Sequence, residues 1–289
     1  MFSYRHSFHA GNHADVLKHL TQMLIIEKLL QKNKPAIYFD THSGGGLYDL
    51  SGEEALKTEE FRDGIGKLSA SVDGSHPAIS RYLDLVERFA RHQQYPGSPM
   101  IASEMLREQD RMVLMEYHNT EIDNLRHHLT KGDVQCDLGI HHRDGFEGLL
   151  AMLPPTPARG LVLIDPPYEV LDEYQQVTSA MQAAFKKWPI GTYALWYPLL
   201  SSRAGAKSGQ SERMLGTLSQ LDAKNILSVT LQVKDNQEDS GMYGSGLLIV
   251  NAPWQLDETL QQVLPELHDA LVDDPATGTY SVAWLKQPD

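Results

Sequence analysis

The sequence predicts an α/β fold on a mostly parallel, doubly wound sheet. Four short apolar runs lead there: Ala36-Ile37-Tyr38-Phe39-Asp40, Met112-Val113-Leu114-Met115-Glu116, Leu161-Val162-Leu163-Ile164-Asp165 and Tyr193-Ala194-Leu195-Trp196-Tyr197, separated by stretches with helical spacing. Near-continuous apolar strands of this length suit a parallel sheet covered on both faces. Three of the runs end on a carboxylate, Asp40, Glu116 or Asp165. That is the strand end beyond which doubly wound folds hold their ligands.

Two regions depart from the alternation. Ile226 to Val233 and Gly246 to Val250 have little helix between them, with a polar turn over Asp235 to Gly241. They predict an antiparallel hairpin that closes the sheet edge. Between Tyr48 and Tyr95 no strand is evident. Glu53 to Leu68 and Ile79 to Arg91 carry helical spacing instead, with Leu83, Val86 and Phe89 three residues apart. Residues 49–95 therefore predict a helical insertion within a single domain of residues 1–289. A further strand is expected near Val134.

Bulk properties set limits. Acidic residues outnumber basic ones 38 to 25, for a formal charge of -13. That balance argues against a general nucleic-acid coat but allows a local basic patch. The single cysteine, Cys136, permits no intramolecular disulfide and reads as a buried small residue. No apolar run approaches the ~20 residues of a membrane span, and the polar, His-rich N-terminus lacks an apolar signal core. A cytoplasmic location without membrane association is expected.

The strongest chemical signal is Asp165-Pro166-Pro167-Tyr168. Two prolines lack backbone N–H groups and cannot continue a sheet, so the chain leaves it stiffly. Such a loop can grip a planar amine: Asp165 accepts one N–H, the Pro166 carbonyl accepts the other, and Tyr168 stacks on the ring. The gain is mostly positioning. The Gly-rich Asp40-Thr41-His42-Ser43-Gly44-Gly45-Gly46 lets backbone approach a nucleotide-like ligand. His42 stands where the usual acidic-x-Gly-x-Gly-x-Gly pattern has its first Gly. Glu116 can accept from both ribose hydroxyls of a cofactor. Asp144, before Gly145-Phe146, can accept a cofactor's adenine amine or cap a helix.

The segment Tyr4 to His19 is unusual. Its histidines raise the idea of zinc, but their spacing is poor for it. An arm that stacks on bases and contacts phosphate is the better reading. Pro96-Gly97-Ser98-Pro99 marks the exit from the insertion. Cations cluster at Lys186-Lys187 and from Arg203 to Arg213, where solvated surface is the commoner explanation and RNA contact the alternative.

Taken together, the Tyr4–His19 opening, D-T-H-S-G-G-G, Y-P-G-S-P, R-E-Q-D, L-I-D-P-P-Y-E and T-Y-A-L-W-Y-P closely resemble the RlmJ family. These are bacterial methyltransferases that modify N6 of one adenine in 23S ribosomal RNA. The resemblance runs from Tyr4 to Trp284. It implies a Rossmann-like class I methyltransferase fold with a helical insertion. It also implies S-adenosyl-L-methionine as cofactor, with contacts at His19, His42, Ser98, Glu116, Asp144, Gly145 and Asp165. Tyr4 falls on the substrate side, with Tyr168. Catalysis falls to Asp165, Pro166 and Tyr168, with no metal. The substrate would be protein-free or early-assembly 23S RNA, with no obligate protein partner. The glycine loop departs slightly, reading Ser43-Gly44-Gly45-Gly46 where the family often has Ala-Gly-Ala-Gly.

The same loop chemistry also suits DNA adenine or a protein glutamine amide. A binding protein without turnover and a zinc-dependent hydrolase complete the alternatives, the last resting on the N-terminal histidines alone.

Overall fold

The computed structural model describes residues 5–71, 75–131, 134–237 and 240–288. A 3-10 turn, His6–Phe8, leads into α1 (His13–Leu30). Asn12 caps α1, its side chain accepting from the N–H groups of Ala14 and Asp15. The helix is buried on all sides from Ala14 to Ile26, as a helix enclosed between a sheet and other helices must be. Within that apolar surround, Asp15, Lys18, His19 and Gln22 recur at i, i+3, i+4 and i+7 and share one face.

After α1 come β1 (Ile37–Asp40), β2 (Leu47–Asp49), α2 (Glu53–Thr58), a π turn (Arg62–Gly66), α3 (Lys67–Ala70), α4 (Pro77–Ala90) and β3 (Gln94–Pro96). Next are α5 (Ser98–Met105), β4 (Arg111–Glu116), α6 (Asn119–Lys131), β5 (Asp137–His142), α7 (Gly145–Met152) and β6 (Gly160–Ile164). The chain continues through α8 (Asp172–Lys187), β7 (Thr192–Leu200), a 3-10 turn (Ser202–Lys207), α9 (Gln210–Leu218), β8 (Ile226–Gln232), β9 (Met242–Val250), α10 (Leu256–Leu271) and β10 (Thr279–Lys286).

The large sheet has the order β10-β8-β9-β7-β6-β1-β4-β5. From β5 to β7 all neighbours are parallel; β9 pairs antiparallel with β7 and β8, and β10 antiparallel with β8. This is the expected doubly wound α/β class. The strand order reverses between β1 and β6, which opens a crevice at their carboxyl ends. Strand residues alternate between two cores. Tyr38, Met112, Leu114, Leu161 and Leu163 face one, against α1, α4 and α10. Ile37, Phe39, Val113, Met115, Val162 and Ile164 face the other, against α7, α8 and α9. Each fully buried aliphatic side chain stabilises by roughly 1.5–3 kcal/mol.

Four details differ from the sequence expectations. The expected hairpin forms, but β10 lies outside it and makes the sheet edge. Its half-exposed alternation gives only a weak apolar signal. The strand expected near Val134 begins at Asp137. The helical stretch from Glu53 is broken where Glu59 adopts a left-handed φ of 53°. Two three-residue strands, β2 and β3, pair antiparallel where residues 49–95 leave and rejoin the chain. Cys136 is buried, 7% exposed, and desolvation pushes its thiol up to about 11.

The N-terminal arm and the 53–66 segment are packed together. Ile65 N–H donates to the Gly11 carbonyl at 2.8 Å. Glu60 accepts from Asn12 Nδ2 at 2.9 Å and lies 3.0 Å from His9 Nδ1. Glu54 accepts from Arg5 and Ser7. Gly64 sits so close that a Cβ would overlap the Gly11 carbonyl. Among the described residues no helix is long and apolar enough to cross a membrane.

Gly64→Ala is expected to destabilise by roughly 1–3 kcal/mol, because the added methyl meets backbone rather than a yielding side chain. Gly216→Ala, in α9 with nothing within 4 Å of its Cβ position, is expected to stabilise by about 0.5–1 kcal/mol. Urea unfolding of the two variants beside the parent checks both signs. A further prediction concerns pH. Desolvation lowers His13 to about 4 and His19 to about 3, from 6.5. The unfolded imidazoles bind protons near pH 6.5 while the folded ones stay neutral, so acidification favours the unfolded chain. Stability is expected to hold above about pH 6.5 and to fall as the pH drops towards 4. Urea midpoints between pH 7.5 and 4.5 test this, and a His13→Asn variant should show a shallower fall.

Candidate active site

A cavity of about 420 Å³ lies at the crevice where the strand order reverses, within the size range of small-molecule sites. The ends of β1, β4 and β6, the starts of α1 and α7, and the β7 side form it. Its lining includes His19, His42, Ser98, Glu116, Asp144, Gly145, Asp165, Pro166 and Tyr168. Residues widely separated in sequence thus meet in one place. Tyr4 lies outside the described residues.

The glycine loop follows β1. Gly44 and Gly46 adopt left-handed φ values of 58° and 77°, which a side chain would strain. The Gly44 N–H donates to Glu116 Oε2 at 2.8 Å, and the His118 N–H to Glu116 Oε1 at 2.6 Å. Glu116 therefore fixes the loop as well as facing the cavity. Asp144 is the N-cap of α7, accepting from Phe146 and Glu147 through Oδ1 alone. A Cβ on Gly145 would overlap the Thr41 carbonyl, so glycine lets α7 begin directly against the β1 loop. Burial lowers the His42 pKa against three nearby carboxylates, keeping the ring neutral.

Asp40 is fully buried beneath the loop. Its Oδ2 accepts from Tyr38 at 2.8 Å and Ser98 at 2.7 Å, and burial raises its pKa to about 6 despite these donors. The Ser98 hydroxyl is thereby tied to Asp40, and Gln22 Nε2 holds the Ser98 carbonyl at 2.8 Å.

The other wall begins with α1. Lys18 Nζ lies 2.8 Å from Asp15 Oδ1 and 2.5 Å from Asp165 Oδ2, with all three side chains buried or nearly so. Burial opposes the ammonium, yet the two carboxylates outweigh it and hold the Lys18 pKa above its ordinary value. Burial likewise opposes the Asp15 carboxylate. His6 and Lys18 outweigh it and hold Asp15 well below the usual range. Asp15 lies 2.8 Å from His6 Nε2 and accepts from the Gly11 N–H at 2.9 Å. His19 Nδ1 lies 2.8 Å from the Tyr95 hydroxyl. Among the described residues no group of three or more His, Cys, Asp or Glu is arranged to hold a metal ion.

The Asp165-Pro166-Pro167-Tyr168 loop leaves β6 as its prolines require. Tyr168 has a left-handed φ of 51°, rare for a bulky residue and concentrated at functional sites. Its hydroxyl donates to the Trp196 carbonyl at 3.0 Å, and its ring packs 4.6 Å from that of Tyr174. Tyr168 is therefore a fixed wall, 3% exposed. The Pro166 carbonyl accepts no hydrogen bond among the described residues. A carboxylate and a bare carbonyl in one stiff loop can accept both hydrogens of an amine.

Sequence reasoning missed Asp15 and Lys18, the two residues that bind α1 to this loop, and the buried Asp40 as support for Ser98. The signal for the first pair was present: polar residues at i, i+3, i+4 and i+7 inside an apolar helix.

The comparisons with known proteins show the family. The family model described as "Ribosomal RNA large subunit methyltransferase D, RlmJ" matches residues 33–286. The chain is 43% identical over 290 aligned positions to "Ribosomal RNA large subunit methyltransferase J" of Escherichia coli, and 41% identical over 292 to the protein of that name in Haemophilus influenzae. Each alignment covers 99% of both chains. A crystal structure of a Legionella pneumophila protein superposes with a TM-score of 0.85 at 32% identity, covering 95% of this chain and 98% of that one. The chain belongs to the RlmJ family of ribosomal RNA large subunit methyltransferases.

Proposed function

We propose that this chain transfers a methyl group from S-adenosyl-L-methionine to the N6 amine of an adenine in 23S ribosomal RNA. It would act in the cytoplasm on protein-free RNA or an early assembly intermediate, without a membrane or an obligate protein partner. Residues 1–289 then form one methyltransferase domain, with 49–95 as its helical insertion. The observation that carries this reading is the Asp165-Pro166 pair of acceptors beside Lys18, at the switch point of a doubly wound sheet.

The residues fit the cofactor. Glu116 would hold the ribose hydroxyls and Asp144, through Oδ2, the adenine amine. Gly44 and Gly145 keep the cradle free of side chains. Glu116, Glu121 and Asp144 give this end a negative field, which favours a ligand bearing a sulfonium. His19, His42 and Ser98 would line the remainder. When bound, S-adenosyl-L-methionine supplies an electrophilic methyl group.

The chain's own residues do the rest. The target base is unpaired or flipped, at a cost of roughly a few kcal/mol. Asp165 accepts one N6–H and the Pro166 carbonyl the other, aiming the nitrogen lone pair at the donor. Lys18 occupies Oδ2 of Asp165 and so selects the other oxygen for the amine. Tyr168 walls the base from one side, and Tyr4 is assigned to the substrate. The surplus proton leaves through Asp165 to solvent.

Labelled cofactor with protein-free 23S RNA, a DNA duplex and a glutamine-bearing peptide fraction tests the acceptor. Label in N6-methyladenosine is expected, and label only in DNA or peptide would overturn the RNA reading. Asp165→Asn keeps the shape of the side chain but loses its charge. It is expected to lower kcat at least ~100-fold while cofactor affinity, read by calorimetry, stays within a few-fold. Glu116→Gln is expected to do the reverse. Losing a charge-assisted pair of about 1.4 kcal/mol weakens the cofactor about tenfold, with kcat at saturating cofactor close to the parent's.

A further inference from the structure

Lysine and arginine are scarce along the cleft. Among the described residues, Lys18 and Lys207 are the two that line it. Lys18 is enclosed between two carboxylates. Lys207 is half-buried, and its Nζ donates to the Tyr168 carbonyl at 3.2 Å. None of the described carboxylates forms an ion pair with it. Glu173, an acid within its field, accepts instead from the Val170 N–H at 3.3 Å. An ammonium has three donors, so the bond to Tyr168 leaves two for a ligand.

Position and backbone add to this. Lys207 follows β7, on the other side of Asp165 from Glu116 in the strand order β4-β1-β6-β7. Its segment is anchored on both flanks. The Ser201 N–H donates to the Gly241 carbonyl at 2.9 Å, and the Ser211 hydroxyl to the Pro198 carbonyl at 2.7 Å. Between these anchors Gly205 and Gly209 have φ values of 60° and 76°, and a Cβ at either would meet nothing within 4 Å. The lysine is thus carried on backbone that is pinned at its ends and unpacked near its centre.

We propose that Lys207 binds a backbone phosphate of the RNA strand beside the target adenosine. Its simultaneous bond to the Tyr168 carbonyl places that strand in register with the Asp165-Pro166 acceptors. The inference rests on the function proposed above. An adenine whose N6 reaches Asp165 leaves its ribose and flanking phosphates at the mouth of the cleft, on the side away from Glu116 and Asp144. A chain of formal charge -13 repels that backbone wherever no cation meets it.

The test compares the parent, Lys207→Gln and Lys207→Arg with an RNA hairpin containing the target adenine. Methyl transfer and direct RNA binding by anisotropy are both measured between about 50 and 400 mM KCl. Gln keeps a donor for the Tyr168 carbonyl and loses the charge. It is expected to lower kcat/KM about five- to eightfold near 0.1 M salt, and to flatten the log–log salt slope by about 0.7–0.9 for one lost phosphate contact. Cofactor affinity should not change, and kcat should fall much less than kcat/KM. Arg should restore both affinity and slope. A Gln variant with the parent's salt slope but a lower kcat would overturn the proposal and leave Lys207 a support for Tyr168. Parent protein that binds RNA without methylating it would refute the function while the binding slopes still decide Lys207. Parent protein that neither binds nor methylates RNA would overturn both.

Discussion

The ammonium of Lys18, held between Asp15 and Asp165, is the interaction on which the rest of the site depends. A buried charge is tolerated only when its partners and hydrogen bonds are complete. Here one partner is on the same helix turn and the other is 147 residues away, at the end of β6. Satisfying Lys18 therefore fixes α1 against the sheet and turns the Asp165 carboxylate to a single orientation. Asp15 needs its own partners in turn, which brings in His6 and the Gly11 N–H. Four chain segments are placed by one chain of charges.

The helical segment after β1 is tied to the same chain through its packing. Arg5, Ser7, His9 and Asn12 precede or cap α1, and each bonds to Glu54 or Glu60. The close approach of Gly64 to Gly11 leaves no slack between the two. A shift of residues 53–66 would therefore pull on the cap of α1, one turn from Asp15. The arm is held by polar contacts at the surface and by backbone contact at its root.

Much of this is legible in the amino-acid sequence. The Asp165-Pro166-Pro167-Tyr168 motif announced itself because two prolines can only stand where a strand ends. Asp40, Glu116 and Asp165 were visible as carboxylates at the ends of apolar runs. The Lys18–Asp165 contact was not, because no local spacing encodes a pairing across 147 residues. The polar stripe on α1 is readable as a pattern, but the pattern alone does not say that Asp15 and Lys18 pair with each other and with a distant loop. β2 and β3 are too short for periodicity to register, and β10 alternates too weakly. For Tyr168, the motif predicts a ring held near the loop that stacks on the base. The motif does not reveal what holds that ring: a hydroxyl bond to Trp196 and packing on Tyr174, which support its left-handed backbone.

The acidic composition, which first argues against a nucleic-acid enzyme, becomes intelligible when charge is followed along the crevice. Carboxylates collect at the β1 and β4 ends, around Glu116, Glu121 and Asp144, where a cationic small molecule would sit. The β7 side, around Trp196, Pro198, Leu200 and Met242, is largely apolar, with Lys207 and Glu173 side by side at its edge. Such a partition sorts ligands by sign across a few strands. In the proposed reaction a sulfonium would be drawn to the carboxylate-rich end, and the RNA backbone would be met at the other by Lys207. Net charge reports only the sum of the two, and so it misses the division on which the proposed chemistry depends.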